Sequence, residues 1–137
     1  MSSARHYKTR PAGKSEYGVY CNKAKEFYQT MYQAEKVENW NAVGLNGVHA
    51  IISLIDAILV KYSGIRSSED NHMAVIDLLT SSIGNRITDV VKKSQTAKRV
   101  IAKKNVIAYE NREFLKSDAL DMIKQVERFY RWAMDQL

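Results

Sequence analysis

From about Cys21 to the C-terminus, apolar residues recur three and four positions apart, the spacing of one buried helix face. Ala24, Phe27, Met31 and Ala34 predict a first helix over about Cys21–Glu38. A second, over about Trp40–Ser63, carries Val48, Ile51, Ile52, Ile55, Ile58, Leu59 and Tyr62, a stripe wide enough for two neighbours. Gly64 supplies its stop, because a left-handed residue there carries no Cβ penalty. Met73, Ile76, Leu79 and Ile83 predict a third helix over about 69–81, with Ser67 or Ser68 as N-cap and Glu69 and Asp70 on the positive end of its dipole. A fourth segment from near Asn85 holds one face inward for about seven turns: Ile87, Val90, Ser94, Ala97, Ile101, Lys104 and Ala108. Ser94 and Lys104 interrupt that face, and a break is expected near Gln95 and Thr96. The last helix opens at Ser117 as N-cap and buries Ala119, Ile123, Val126, Phe129 or Tyr130, and Ala133, ending near Gln136.

No Val/Ile/Thr-rich alternating stretch predicts a strand. The expected fold is therefore all-α, an antiparallel bundle of about five helices with a flexible N-terminal tail. The expected boundaries are a basic, disordered tail over 1–18 and one bundle domain over 19–137.

The 137 residues suffice for one domain with a single core. The lone Cys21 excludes an internal disulfide framework. The longest apolar run, Ile51 to Val60, is broken by Ser53 and Asp56 and falls short of the roughly 18 residues a membrane span needs. No apolar segment of a secretory signal follows the charged N-terminus, so a cytoplasmic location away from membranes is the expectation. Net charge is +6, and Arg5, Lys8, Arg10 and Lys14 put four of those charges in the tail. Such an arm either contacts nucleic-acid phosphates or simply solubilises the end of the chain.

No phosphate-binding glycine loop, zinc-protease helix motif or Gly-x-Ser-x-Gly elbow is present. His6, His49 and His72 show no ligand spacing, and Glu26 and Glu35 lack the Glu-x-x-His pattern of bundle metal sites, so no metal and no cofactor are expected. His49, Ser53 and Asp56 form a polar line on the apolar second helix, four and three apart. A carboxylate placed there needs donors or a cation. Lys104 and Tyr109 are its expected partners, forming a cluster that either registers two helices or lines a binding cleft.

Several segments resemble HEPN domains. The string from Asn46 through His49 and Asp56 to Leu59 is similar to the family's second helix. The loop Gly64–His72, leading to Ala74–Leu79, resembles one small HEPN branch. Similar again are Lys104–Glu110 and the helix from Ser117-Asp118-Ala119 to Phe129-Tyr-Arg-Trp132. The resemblance covers about 20–137. It implies a small helical bundle, often dimeric, and frequently a metal-independent ribonuclease of toxin–antitoxin, abortive-infection or CRISPR systems. Other members have lost catalysis and serve as binding or scaffold modules.

Catalytic members carry Arg-x(4–6)-His, often Arg-Asn-x-x-x-His. The histidine serves acid–base chemistry at the RNA 2′-hydroxyl, and the arginine stabilises phosphate charge. Here the matching stretch is Lys104-Asn105-Val106-Ile107-Ala108-Tyr109: Asn105 agrees, Lys104 replaces Arg, and Tyr109 replaces His. Tyrosine, with a reference pKa of about 10, is a poor base at neutral pH. Lysine lacks the planar fork that grips phosphate. Arg66 and His72 satisfy the loose spacing, but in an earlier loop, where structural roles for both are expected.

The expected function is thus a HEPN-like binding module without ribonuclease activity, with RNA or a protein partner as ligand, in a defence or toxin–antitoxin setting. Its binding residues would be His49, Asp56, Lys104 and Tyr109. The alternatives are a toxin-like ribonuclease, using Lys104, Asn105 and Tyr109 or else Arg66 and His72, and a purely structural assembly protein. Tyr28, Tyr32, Trp40, Tyr130 and Trp132 exceed what the inner stripes can hold, which predicts a homodimer through an aromatic interface.

Overall fold

The computed structural model describes residues 9–67 and 71–137. Its elements are β1 (Thr9–Pro11), a 3₁₀ turn (Lys14–Glu16), α1 (Tyr17–Lys36), α2 (Trp40–Ser63), β2 (Ile65–Ser67), α3 (His72–Ile83), α4 (Val90–Ile101), the short α5 (Lys104–Ala108) and α6 (Lys116–Gln136). The chain is an all-α bundle in which five helices pack together.

At the centre lies α2, in contact with α1, α3, α4, α5 and α6. From Val43 to Val60 it is buried on nearly every side, as an all-round apolar helix must be. Length and composition alone would let Trp40–Ser63 cross a bilayer, contrary to the reading of its apolar run. Most of its apolar window, 78%, is instead covered by the bundle. Two glycines allow the close packing. A Cβ at Gly44 would come within 2.6 Å of Ile107 Cδ1 and 2.8 Å of Phe114 Cε2, and one at Gly47 within 3.0 Å of Met122 Sδ. Gly64 ends the helix with φ of 64°, as expected of a left-handed stop.

The expected N-terminal tail is corrected from Thr9 onward. β1 pairs antiparallel with β2, setting Arg10 opposite Arg66, and Ala12 N donates to Gly64 O at 2.9 Å. These backbone bonds fasten the segment with little side-chain burial, so composition held no signal of it. They also correct the expectation of no strand. α1 starts at Tyr17, ahead of the predicted Cys21.

α3 starts at His72, where Asn71 Oδ1 caps it by accepting from Met73 N at 3.0 Å. The expected caps and acids at Ser68, Glu69 and Asp70, and the side chain of Ser67, lie outside the described residues. The predicted seven-turn helix is three pieces. Residues 84–89 form a turn pinned from two sides: Arg86 Nη1 donates to Tyr62 O at 2.8 Å, and Trp132 Nε1 to Thr88 O at 3.1 Å. The second break falls at Ala102–Lys103, between α4 and α5, and residues 95–96 stay helical. α6 begins at Lys116, where Leu115 N donates to Asp118 Oδ2 at 2.9 Å, so the expected cap at Ser117 is one residue inside the helix.

The surplus aromatics find partners within the chain. Tyr28 of α1 stacks on Tyr130 of α6 with centroids 3.8 Å apart, and Tyr32 meets Tyr28 edge-on. Trp132 packs against Phe129, and the Lys116 ammonium lies over Trp40. They form a second layer over the core, so crowding no longer argues for a dimer.

Candidate functional site

The predicted polar line divides into two environments. Asp56 is 8% exposed on α2, and its nearest cation is not Lys104 but Arg66 of β2, with Nη2 4.0 Å from Oδ2. Arg66 in turn lies over the Tyr20 ring at 5.3 Å, and its Nε is buried without a partner among the described residues. An ion pair at 4.0 Å lacks the short contact of a charge-assisted hydrogen bond. Burial accordingly prevails: the Asp56 carboxyl is pushed up to about 6, with Arg66 and Lys23 only partly opposing.

The expected Asp56–Lys104–Tyr109 cluster is therefore corrected. His49 and Asp56 are about 10 Å apart along the helix axis, and Lys104 sits at the His49 end. Tyr109 caps α5 and is 77% exposed, so it meets neither Asp56 nor the core. Asn105 is likewise exposed.

What the fold gathers at the other end is His49, His72 and Lys104. Lys104 Nζ lies 3.3 Å from His72 Nε2. With the ammonium donating, that nitrogen is unprotonated and the ring carries its proton on Nδ1. His49 lies against the Phe27 ring, centroids 5.3 Å apart, and its pKa is lowered first by burial and then by the Lys104 charge. Helices α2, α3 and α5 each supply one group, all partly buried. The cluster thus offers one ammonium and two imidazoles: charge for a phosphate beside ring nitrogens that donate or accept hydrogen bonds.

Arg66 and His72 do not act together. Arg66 faces Asp56 and Tyr20, and His72 faces Lys104. Of the tail cations, Arg10 and Lys14 are exposed beside β2, while Arg5 and Lys8 lie outside the described residues, as does His6. Among the described residues no three His, Cys, Asp or Glu side chains gather as a metal site.

Sequence reasoning missed the pairing of Lys104 with His72, which are 32 residues apart with no local pattern linking them. It also missed a charge signal. Over residues 84–109, Arg86, Lys92, Lys93, Lys98, Arg99, Lys103 and Lys104 face a single acid, Asp89. Lys98 is paired with Asp77 at 3.0 Å. Lys92, Arg99 and Lys103 are exposed along one side of α4 and its end, which makes the bundle itself, and not only the tail, locally basic. Compared with protein-family models, with curated proteins and with solved structures, the chain matches none.

Proposed function

We propose that the chain is a HEPN-like binding module without ribonuclease activity, taking RNA phosphate at the notch of His49, His72 and Lys104. It works as a homodimer or beside a protein partner, in a defence or toxin–antitoxin setting. The observation that carries this reading is the divergence of Lys104 and Tyr109. The ammonium lies against His72 whereas the phenol is 77% exposed at the end of α5, so Lys104 is engaged with a partner other than the tyrosine that stands at the histidine position of the motif. The concentration of cations on α4 supports an anionic ligand.

A second reading has its own support. Two imidazoles beside an ammonium are a complete set for metal-independent transesterification of RNA: base, acid and a cation for the phosphorane. One assay separates the two. Pure protein is incubated with labelled tRNA and mRNA without metal, and the RNA is read for retardation and for length. Retarded, intact RNA whose binding weakens in Lys104→Ala supports the binding module. Cleavage that disappears in both His72→Ala and His49→Ala establishes the ribonuclease instead. Light scattering at micromolar concentration then checks the dimer, which should weigh twice the 15.7 kDa of the chain.

A further inference from the structure

A cleft of about 550 Å³ lies between the end of α4 and the first half of α6, and Lys103, the chain neighbour of Lys104, stands on its wall. That volume falls in the range of small-molecule sites, and the cleft opens to solvent. Its walls differ in chemistry. Arg99 and Lys103 stand on the α4 side, and Thr96 Oγ1 accepts from Arg99 Nη2 at 3.2 Å, steadying the guanidinium. Asp118 and Asp121 stand on the α6 side, three residues apart and so on one helix face. Val100 and Met122 give an apolar floor.

Among the described residues no ion pair joins Arg99 or Lys103 to either aspartate. Each carboxylate has one oxygen engaged inside α6: Asp118 Oδ2 accepts from Leu115 N, and Asp121 Oδ2 accepts from Gln125 Nε2 at 3.0 Å. The other oxygens are available. Gln125 Oε1, in the same wall, is buried with no donor among the described residues, so with the two carboxylates this side is rich in acceptors.

We infer that this cleft binds a guanine nucleotide, with the phosphate on Arg99 and Lys103 and the base edge on Asp118 and Asp121. A wall of acceptors calls for adjacent N–H donors on a flat body. Among the four bases, only guanine presents two neighbouring donors, N1–H and N2–H, on its pairing edge. Adenine, cytosine and uracil each set an acceptor beside the donor, and a carboxylate repels it. The apolar floor suits a base face, and the cationic wall takes the phosphate as arginine and lysine do elsewhere. The inference does not depend on RNA binding at His49, His72 and Lys104, since the two sites share no residue.

The test is calorimetric titration of the full chain with GMP, AMP, guanosine and inorganic phosphate. GMP should bind about tenfold or more tightly than AMP, and more tightly than guanosine or phosphate. Asp121→Asn should bring GMP down to the level of AMP. Arg99→Ala with Lys103→Ala, both exposed and safe for folding, should weaken the two nucleotides by a similar factor. Lys104→Ala should leave GMP binding unchanged, which separates this cleft from the notch. Equal binding of GMP and AMP by the unmodified chain, or a GMP affinity indifferent to all three cleft substitutions, overturns the assignment. Competition by a uridine-rich strand carrying one guanosine identifies RNA as the source of the base. Competition by free GMP alone identifies the nucleotide.

Discussion

Asp56 shows how a single side chain departs from its local pattern. Spacing marked it as a buried carboxylate in need of a cation, and it is one. The choice of cation was wrong, because Arg66 arrives on a strand that periodicity could not foresee and Lys104 turns toward His72. The consequence is a definite pH dependence. Its folded pKa of about 6 lies above the ordinary 3.8, so the folded state holds this proton more tightly than the unfolded state. Stability from this group is therefore least above pH 6 and grows as pH falls toward 4. A shift of this size corresponds to about 2–3 kcal/mol. Chemical denaturation of the unmodified chain and Asp56→Asn at pH 7 and pH 5 isolates the gain as a difference, because His49, its folded pKa lowered, loses stability over the same fall in pH. Asp56→Asn should match or exceed the unmodified chain at pH 7 and lose that advantage at pH 5. Arg66→Met should move the Asp56 titration still higher, read by carbon-detected NMR, because Arg66 is the foremost group opposing its burial. Lys104→Met should leave that titration where it is, and a large change on that substitution would restore the discarded cluster.

Among the elements, α2 was the most readable because its limits are chemical: Gly64 stops it in a conformation that glycine accepts without strain. The segment after α3 was the least readable, although its buried positions were foreseen. Ile87, Val90, Ser94, Ala97 and Ile101 are all buried as their spacing requires, but only Val90–Ile101 is continuous helix. Periodicity reports which side chains face inward; it does not report whether the backbone between them keeps its hydrogen bonds. Arg86, reaching out of the 84–89 turn to Tyr62 O, and Trp132, reaching in to Thr88 O, settle that question there. Close packing at α2 gives a paired prediction. Gly44→Ala drives a methyl into Ile107 and Phe114 and should cost about 1–3 kcal/mol in urea melts. Gly18→Ala, with nothing within 4 Å, should stabilise by up to about 1 kcal/mol through helix propensity alone. Equal effects at the two sites would mean that α5 and the Phe114 loop do not press on α2.

For the molecule as a whole, the all-helical class and the buried stripes could be read from sequence, whereas what joins distant segments could not. The His49–His72–Lys104 notch draws on three helices, and the α4–α6 cleft draws on faces that each look like ordinary solvated surface. The N-terminal strap is the clearest case of such a long-range joint. β1 is exposed, and its side chains contribute little burial, so its hold is backbone bonding to β2 and Gly64. Exposed hydrogen bonds have small net worth, about 1 kcal/mol each, and fixing the strap offsets part of that. Removing residues 1–13 should therefore lower the melting temperature by only about 3–6 °C while leaving helical circular dichroism intact. Amide exchange should quicken at Arg66, whose N–H faces Arg10 in the hydrogen-bonded pair next to Ala12–Gly64. Because β2 also carries Arg66 to Asp56, the Asp56 carboxyl should titrate higher in the shortened chain, as its cation gains freedom. Loss of cooperative unfolding would make the strap part of the core. An unchanged melting temperature with unchanged exchange at Arg66 would mean that β1 contributes nothing to the fold.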